Sequence, residues 1–132
     1  MQCVLPILVV DDYASMRTII TSLIRGFGYD DVDSAGDVVT ALQMMHEKKY
    51  GLIISDVNME PINGLQFLRS VRADRDLHDV LFLLTTASLD ANLVIAAKNS
   101  GVDTYLLKPF TPTQLKIKLS EVLNHHKIFL RN

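Results

Sequence analysis

Five short apolar runs alternate along the chain with segments whose apolar residues recur every three or four positions. The runs cover residues 4–10, 31–35, 51–55, 80–84 and 104–107, the second being the weakest. Those at 4–10, 51–55 and 80–84 are nearly unbroken, as expected of strands buried on both faces of a parallel sheet. After the first run, Met16, Ile19, Ile20, Leu23, Ile24 and Phe27 keep helical spacing, and Gly26 and Gly28 supply stop signals. The pattern predicts further helices over 37–48, with Val38, Leu42 and Met45 on one face, over about 65–73 through Leu68 and Val71, and over 90–100, stopped by Gly101. The fifth helix has the clearest start. Thr111, Pro112, Thr113 and Gln114 place a cap, a proline at the first helical position and a capping-box partner in order. Leu115, Leu119, Val122 and Leu123 then face inward. Five strand–helix units with short connections imply an α/β domain built on a doubly wound parallel sheet.

Length supports one such unit. The chain has 132 residues, 48% of them hydrophobic, and a net charge of −2. The expectation is a single domain over 1–132 with no output domain after the fifth helix. No apolar run is long enough to span a bilayer, and the first ten residues lack the basic start and cleavage site of a signal peptide. Cys3 is the only cysteine, so a disulfide framework and a cysteine-built metal site are excluded. A cytoplasmic protein is the simplest expectation, and the absence of a long basic run argues against a nucleic-acid partner.

In doubly wound sheets, ligands bind beyond the carboxyl ends of the strands. Here those ends carry Asp11 and Asp12, Asp56, Thr85 and Thr86, and Lys108 followed by Pro109. Singly, each has an ordinary explanation: a turn or helix cap for an aspartate, a solvated charge for a lysine, a strand-forming residue for a threonine. Their collection on one edge does not. Neighbouring strands lie about 4.8 Å apart, so carboxylates on adjacent ends repel unless a cation compensates. A hard divalent ion such as Mg2+, held by oxygen ligands, answers that need. With it, a carboxylate can act as a nucleophile toward phosphorus, and an ammonium such as Lys108 can neutralise the transferring group. The proline after Lys108 predicts a fixed turn, for which a cis peptide is one solution.

Asp11-Asp12, Asp56, Thr86-Ala87 and Lys108-Pro109-Phe110, in this order and spacing, resemble the receiver domain of response regulators across essentially the whole chain. The stretch from Val10 to Arg17, with Asn58-Met59 and the expected lack of an output domain, is similar to the chemotaxis, CheY-like type. The resemblance implies a flavodoxin-like fold with strand order 2-1-3-4-5, and a two-component signalling switch rather than an enzyme acting on other substrates. It implies Asp56 as phosphoacceptor and Mg2+ as cofactor, bound directly by Asp12, through water by Asp11, and by Asp56 and the backbone carbonyl of Asn58. It makes Thr86 the group that hydrogen-bonds the phosphoryl and Tyr105 the aromatic that changes rotamer. Asn58 and Ser88 become the positions that tune phosphoryl lifetime. The implied partners are a sensor histidine kinase or phosphotransfer protein and a downstream target on the face of the fourth helix, fifth strand and fifth helix. One departure stands out: Glu60 occupies the position that usually carries proline, and Pro61 follows, while Gly64 keeps the loop length. The path of residues 59–62 is therefore open, and Glu60 brings a further negative charge toward the site.

Other residues read more simply. Met44, Met45 and His46 form a buried helix face and its polar neighbour. His125 and His126, about 100° apart on a helix, cannot readily share a metal and with Lys127 make a cationic helix end. Cys3 reads as a small buried hydrophobe, and Lys116 and Lys118 as solvating the last helix. Two other functions compete. A Mg2+-dependent phosphohydrolase of the haloacid-dehalogenase kind would want a second aspartate two residues beyond the nucleophile, where Asn58 stands, and a cap domain. A pure interaction module would have lost Asp56 or Lys108. A phosphate sink or relay intermediate shares the same chemistry.

Overall fold

The computed structural model describes residues 5–131, with side chains through residue 124. Strands and helices alternate strictly: β1 (Ile7–Val10), α1 (Ala14–Gly26), β2 (Val32–Ala35), α2 (Val38–Glu47), β3 (Leu52–Asp56), α3 (Gly64–Ala73), β4 (Leu81–Thr86), α4 (Ala91–Asn99), β5 (Thr104–Leu107) and α5 (Pro112–Arg131). All strand pairings are parallel, in the order β2-β1-β3-β4-β5. The doubly wound fold and the strand order expected from the sequence are both present.

The unbroken apolar runs have the expected physical cause. Every residue of β1, β3 and β4 is buried, because helices cover both faces. Alternate residues serve opposite cores. Leu8, Val10, Ile53, Phe82 and Leu84 pack with Ala41, Phe67, Leu68 and Val71 of α2 and α3. Ile7, Val9, Leu52, Ile54 and Leu83 pack with Ile20, Ile24, Leu115 and Leu119 of α1 and α5. Phe67 and Phe82 meet edge to face, with centroids 5.3 Å apart, a geometry that aromatic quadrupoles favour. The edge strand β2 is only half buried, which explains its weak signal in the sequence.

Boundaries shift where backbone hydrogen bonding decides them. β1 starts at Ile7, so Leu5 and Pro6 of the first apolar run lie outside the strand; Pro6 contributes its carbonyl to Gly51 N–H at 2.8 Å. β4 ends in Thr85 and Thr86, as expected, and both threonines belong to the strand. The fifth-helix capping box is present, with Gln114 N–H donating to Thr111 Oγ1 and Thr111 N–H to Gln114 Oε1. A second box, Asn63 with Gln66, starts α3, and Asp37 and Asp90 cap α2 and α4. α1 differs: its N-cap, Tyr13, makes no side-chain cap.

Candidate functional site

The carboxyl edge of the sheet gathers groups that the sequence scatters over almost a hundred residues. Asp11, just beyond β1, is 1% exposed, and Asp56, the last residue of β3, is 4% exposed. Asp12 is exposed beside them. One carboxylate oxygen from each of the three lies within 4.8 Å of the others, a separation that one ion with ligands at about 2.0–2.6 Å can bridge. Lys108 enters from the far side of the sheet. Its N–H donates to the carbonyl of Thr86 at 2.7 Å, the peptide to Pro109 is cis, and its Nζ sits 3.3 Å from Oδ2 of both Asp11 and Asp56. Among the described residues, Lys108 alone pairs with carboxylates of this group, and the excess negative charge is of the kind a divalent ion offsets. The residues present therefore fit Mg2+, and the repulsion expected from the sequence is partly answered by Lys108.

Each buried acid is also tied to its own loop. Asp11 Oδ1 accepts the Tyr13 N–H at 2.9 Å, so the ordinary turn role of an aspartate after a strand is realised together with the convergence. Asp56 Oδ1 accepts the Asn58 N–H at 3.3 Å. Burial pushes the Asp56 carboxyl above its ordinary value; Lys108 opposes that shift and Asp11 reinforces it.

The loop after Asp56 takes a defined path despite its departure from the family pattern. Gly64 N–H closes it onto the Val57 carbonyl at 2.9 Å, and the Glu60–Pro61 peptide is cis. Gly64 is fixed by space. A Cβ there would lie 2.2 Å from the Asp56 carbonyl oxygen, a backbone atom that cannot yield. Glu60 joins Asp12, Tyr13, Asn58, Met59 and Asn63 around a cleft of about 480 Å3, so Asn58 and Asp12 share one mouth.

Thr86 is buried, and its hydroxyl engages the backbone of Ser88. Tyr105 is half-buried and lies with Val57, Leu84, Thr86, Leu89 and Ala97 around a cavity of only about 10 Å3. Elsewhere, Met45 is buried and His46 exposed, as expected, but His46 Nε2 also lies 3.2 Å from Asp74 Oδ2, with Asp76 nearby. Lys118 pairs with Glu121 at 3.7 Å, and Lys116 lies over the Phe27 ring. Cys3, His125, His126 and Lys127 fall outside the residues whose side chains are described. The sequence reading missed Arg17, whose guanidinium donates to the Asp11 carbonyl. It also missed the Asn63–Gln66 box, although that spacing matches the one recognised at 111–114.

Comparison with known proteins agrees with this geometry. The model of the response regulator receiver domain matches residues 7–120. The chain is 39% identical to chemotaxis protein CheY of Pseudomonas aeruginosa over 116 residues, covering 88% of this chain and 94% of that protein. It is 36% identical to CheY-3 of Vibrio cholerae over 88% of this chain and 89% of the relative. The crystal structure of Vibrio cholerae CheY4 superposes with a TM-score of 0.86 at 30% identity, covering 91% of this chain and 99% of that one. No helix among the described residues is long and apolar enough to cross a membrane. The chain belongs to the response regulator receiver domain family, as a CheY-like member of two-component signalling.

Proposed function

We propose that Asp56 takes a phosphoryl group from a phosphohistidine of a sensor kinase or phosphotransfer protein, in the cytoplasm, and that the change alters affinity for a chemotaxis-type target. The observation that carries this reading is the placement of Lys108 Nζ at 3.3 Å from both Asp11 and Asp56, beside a third carboxylate. A P–O bond to an Asp56 oxygen would form as the donor's P–N bond breaks, the imidazole nitrogen keeping the electron pair. Asp11, Asp12, Asp56 and the Asn58 carbonyl are the groups for Mg2+, which when bound would offset charge on the phosphoryl oxygens. Lys108 supplies the remaining positive charge, and Thr86 a hydroxyl. Asn58, at the position two beyond Asp56, carries a carboxamide that cannot serve as a general acid or base, which favours a switch that turns over only its own phosphoryl group over a phosphohydrolase.

The output face is assigned to α4, β5 and α5. Ile95, Leu107 and Ile117 are each about half exposed there, and Leu106, Leu107, Pro109 and Ile117 line a shallow groove. Leu107 and Ile117 adjoin in that groove, and adjoining exposed apolar groups mark partner sites more often than single ones do. The test is labelling by acetyl phosphate or a phosphohistidine protein. Stoichiometric acid-labile label that requires Mg2+ and disappears in Asp56→Asn is expected. Label persisting in that variant, or sustained release of phosphate from small esters, would overturn the reading.

A further inference from the structure

We propose that Arg17 is a positioning residue for the carboxylates at 11 and 12, and that Gly36 is the space that lets it act; this rests on reading those carboxylates as ligands for Mg2+. Arg17 lies in the second turn of α1, and its Nη1 donates to the Asp11 carbonyl at 2.6 Å, a short charge-assisted bond. That carbonyl belongs to the peptide joining Asp11 to Asp12. The bond therefore fixes the plane from which the exposed Asp12 side chain departs. Asp11 is held from every other side too: its N–H by the Ala35 carbonyl at 3.2 Å, Oδ1 by Tyr13 and Oδ2 by Lys108. Arg17 completes the frame from the side of α1.

Gly36 follows β2, and its φ lies outside the left-handed range, so its backbone conformation does not demand glycine. Its surroundings do. A Cβ at 36 would meet Arg17 Nη1 at 3.1 Å, Cζ at 3.6 Å and Nη2 at 3.8 Å, and these are its three nearest neighbours. A Cβ at 36 would be tight against Nη1, the nitrogen that holds the Asp11 carbonyl, so the guanidinium would have to shift by a few tenths of an ångström to admit it.

Two roles for Arg17 predict opposite signs. As a bare positive charge beside the acids, it would repel a cation, and its removal would tighten Mg2+ binding. As a positioning residue, its removal disperses the ligands and weakens binding. Groups that orient metal ligands typically contribute about 10–100-fold in affinity. Calorimetric titration of Mg2+ into the intact chain, with melting measured in chelator alongside, separates these roles. Arg17→Gln is expected to bind Mg2+ about tenfold more weakly. Gly36→Ala, which keeps every charge, should weaken it in the same direction, and Arg17→Lys should recover part of the loss. The Asp12 amide resonance should move in chelator in both Arg17→Gln and Gly36→Ala. Unchanged or tighter Mg2+ binding in Arg17→Gln would overturn the proposal, as would a lowered melting temperature with unaltered affinity. A parent chain that takes up no Mg2+ would instead overturn the metal reading. In that event the Asp12 amide decides: a shift supports Arg17 as the group holding this peptide, and no shift refutes it.

Discussion

The Thr86 hydroxyl donates to the backbone carbonyl of Ser88 at 3.0 Å, while the Ser88 N–H donates to the Thr86 hydroxyl oxygen at 3.2 Å. A hydroxyl has one proton to donate, so Thr86 must give up Ser88 to donate to a phosphoryl group on Asp56. The exchange would loosen the start of the loop into α4. It would also enlarge the cavity of about 10 Å3 beside Tyr105, which is now only about large enough for one water and far too small for a ring.

Thr86→Ala should therefore still accept phosphate at Asp56 but transmit it poorly. Moving a switch from 1% to 99% active takes roughly 5.5 kcal/mol of differential binding, and a charge-assisted hydrogen bond supplies about 1.5–3 of it. Amide shifts on adding beryllofluoride should reach residues 90–123 in the parent and shrink there in the variant. Shifts confined to the surroundings of Asp12 and Asp56 in the parent would refute the α4–β5–α5 output face.

Burial raises the Asp56 pKa, and the sign of the stability effect follows. The native protein holds a proton at Asp56 more tightly than the unfolded chain does. The stabilisation from that proton is complete below the unfolded value of 3.8 and lost as pH rises through the higher native value. At neutral pH in chelator, Asp56→Asn should raise stability by about 1 kcal/mol, an advantage that fades toward pH 3.8. Asp12→Ala should gain less, because Asp12 is exposed. Urea midpoints at several pH values check both, and an Asp56→Asn protein less stable than its parent at pH 7 would contradict them.

Lys108 is the opposite case. Its removal leaves Asp11 and Asp56 buried without their shared partner, and breaking a buried ion pair typically costs about 3–5 kcal/mol. Lys108 keeps some contact with solvent, so Lys108→Met should lose about 3 kcal/mol in chelator. Saturating Mg2+ should return part of that through ligand linkage. Denaturation in chelator and in excess Mg2+ measures the difference; equal stability of variant and parent in chelator would show that Lys108 does not compensate the acids.

Asn58 and Ser88 lie two residues beyond Asp56 and Thr86, and both are exposed. A water attacking the phosphoryl group would approach past them. Bulkier or charged replacements should change the rate of phosphoryl loss while leaving Asp56 able to accept the group. Decay of labelled protein followed over time is the measurement, and identical half-lives in both variants would place the timing elsewhere.

The alternation of apolar runs and helical periodicity determined the fold class, because strands buried on both sides must be apolar throughout while amphipathic helices bury one stripe. Asp11, Asp12, Asp56, Thr86 and Lys108 were legible for a related reason: strand ends in a parallel sheet share one edge, so residue type at those ends reveals the chemistry. The precise edges were less visible. The start of β1 after Pro6 depends on hydrogen bonds to neighbouring strands, which periodicity does not encode. Arg17 entered the sequence reading only as the end of a family-like stretch, and Gly36 not at all, since an arginine in an amphipathic helix and a glycine after a strand both read as ordinary. Only the tertiary structure brings the guanidinium of α1 into the space left by the missing side chain after β2. The same holds for Lys108, which meets Asp11 across 97 residues of chain. Composition can say that an ammonium is available at the sheet edge; whether it reaches one acid, or two at once, is decided by packing.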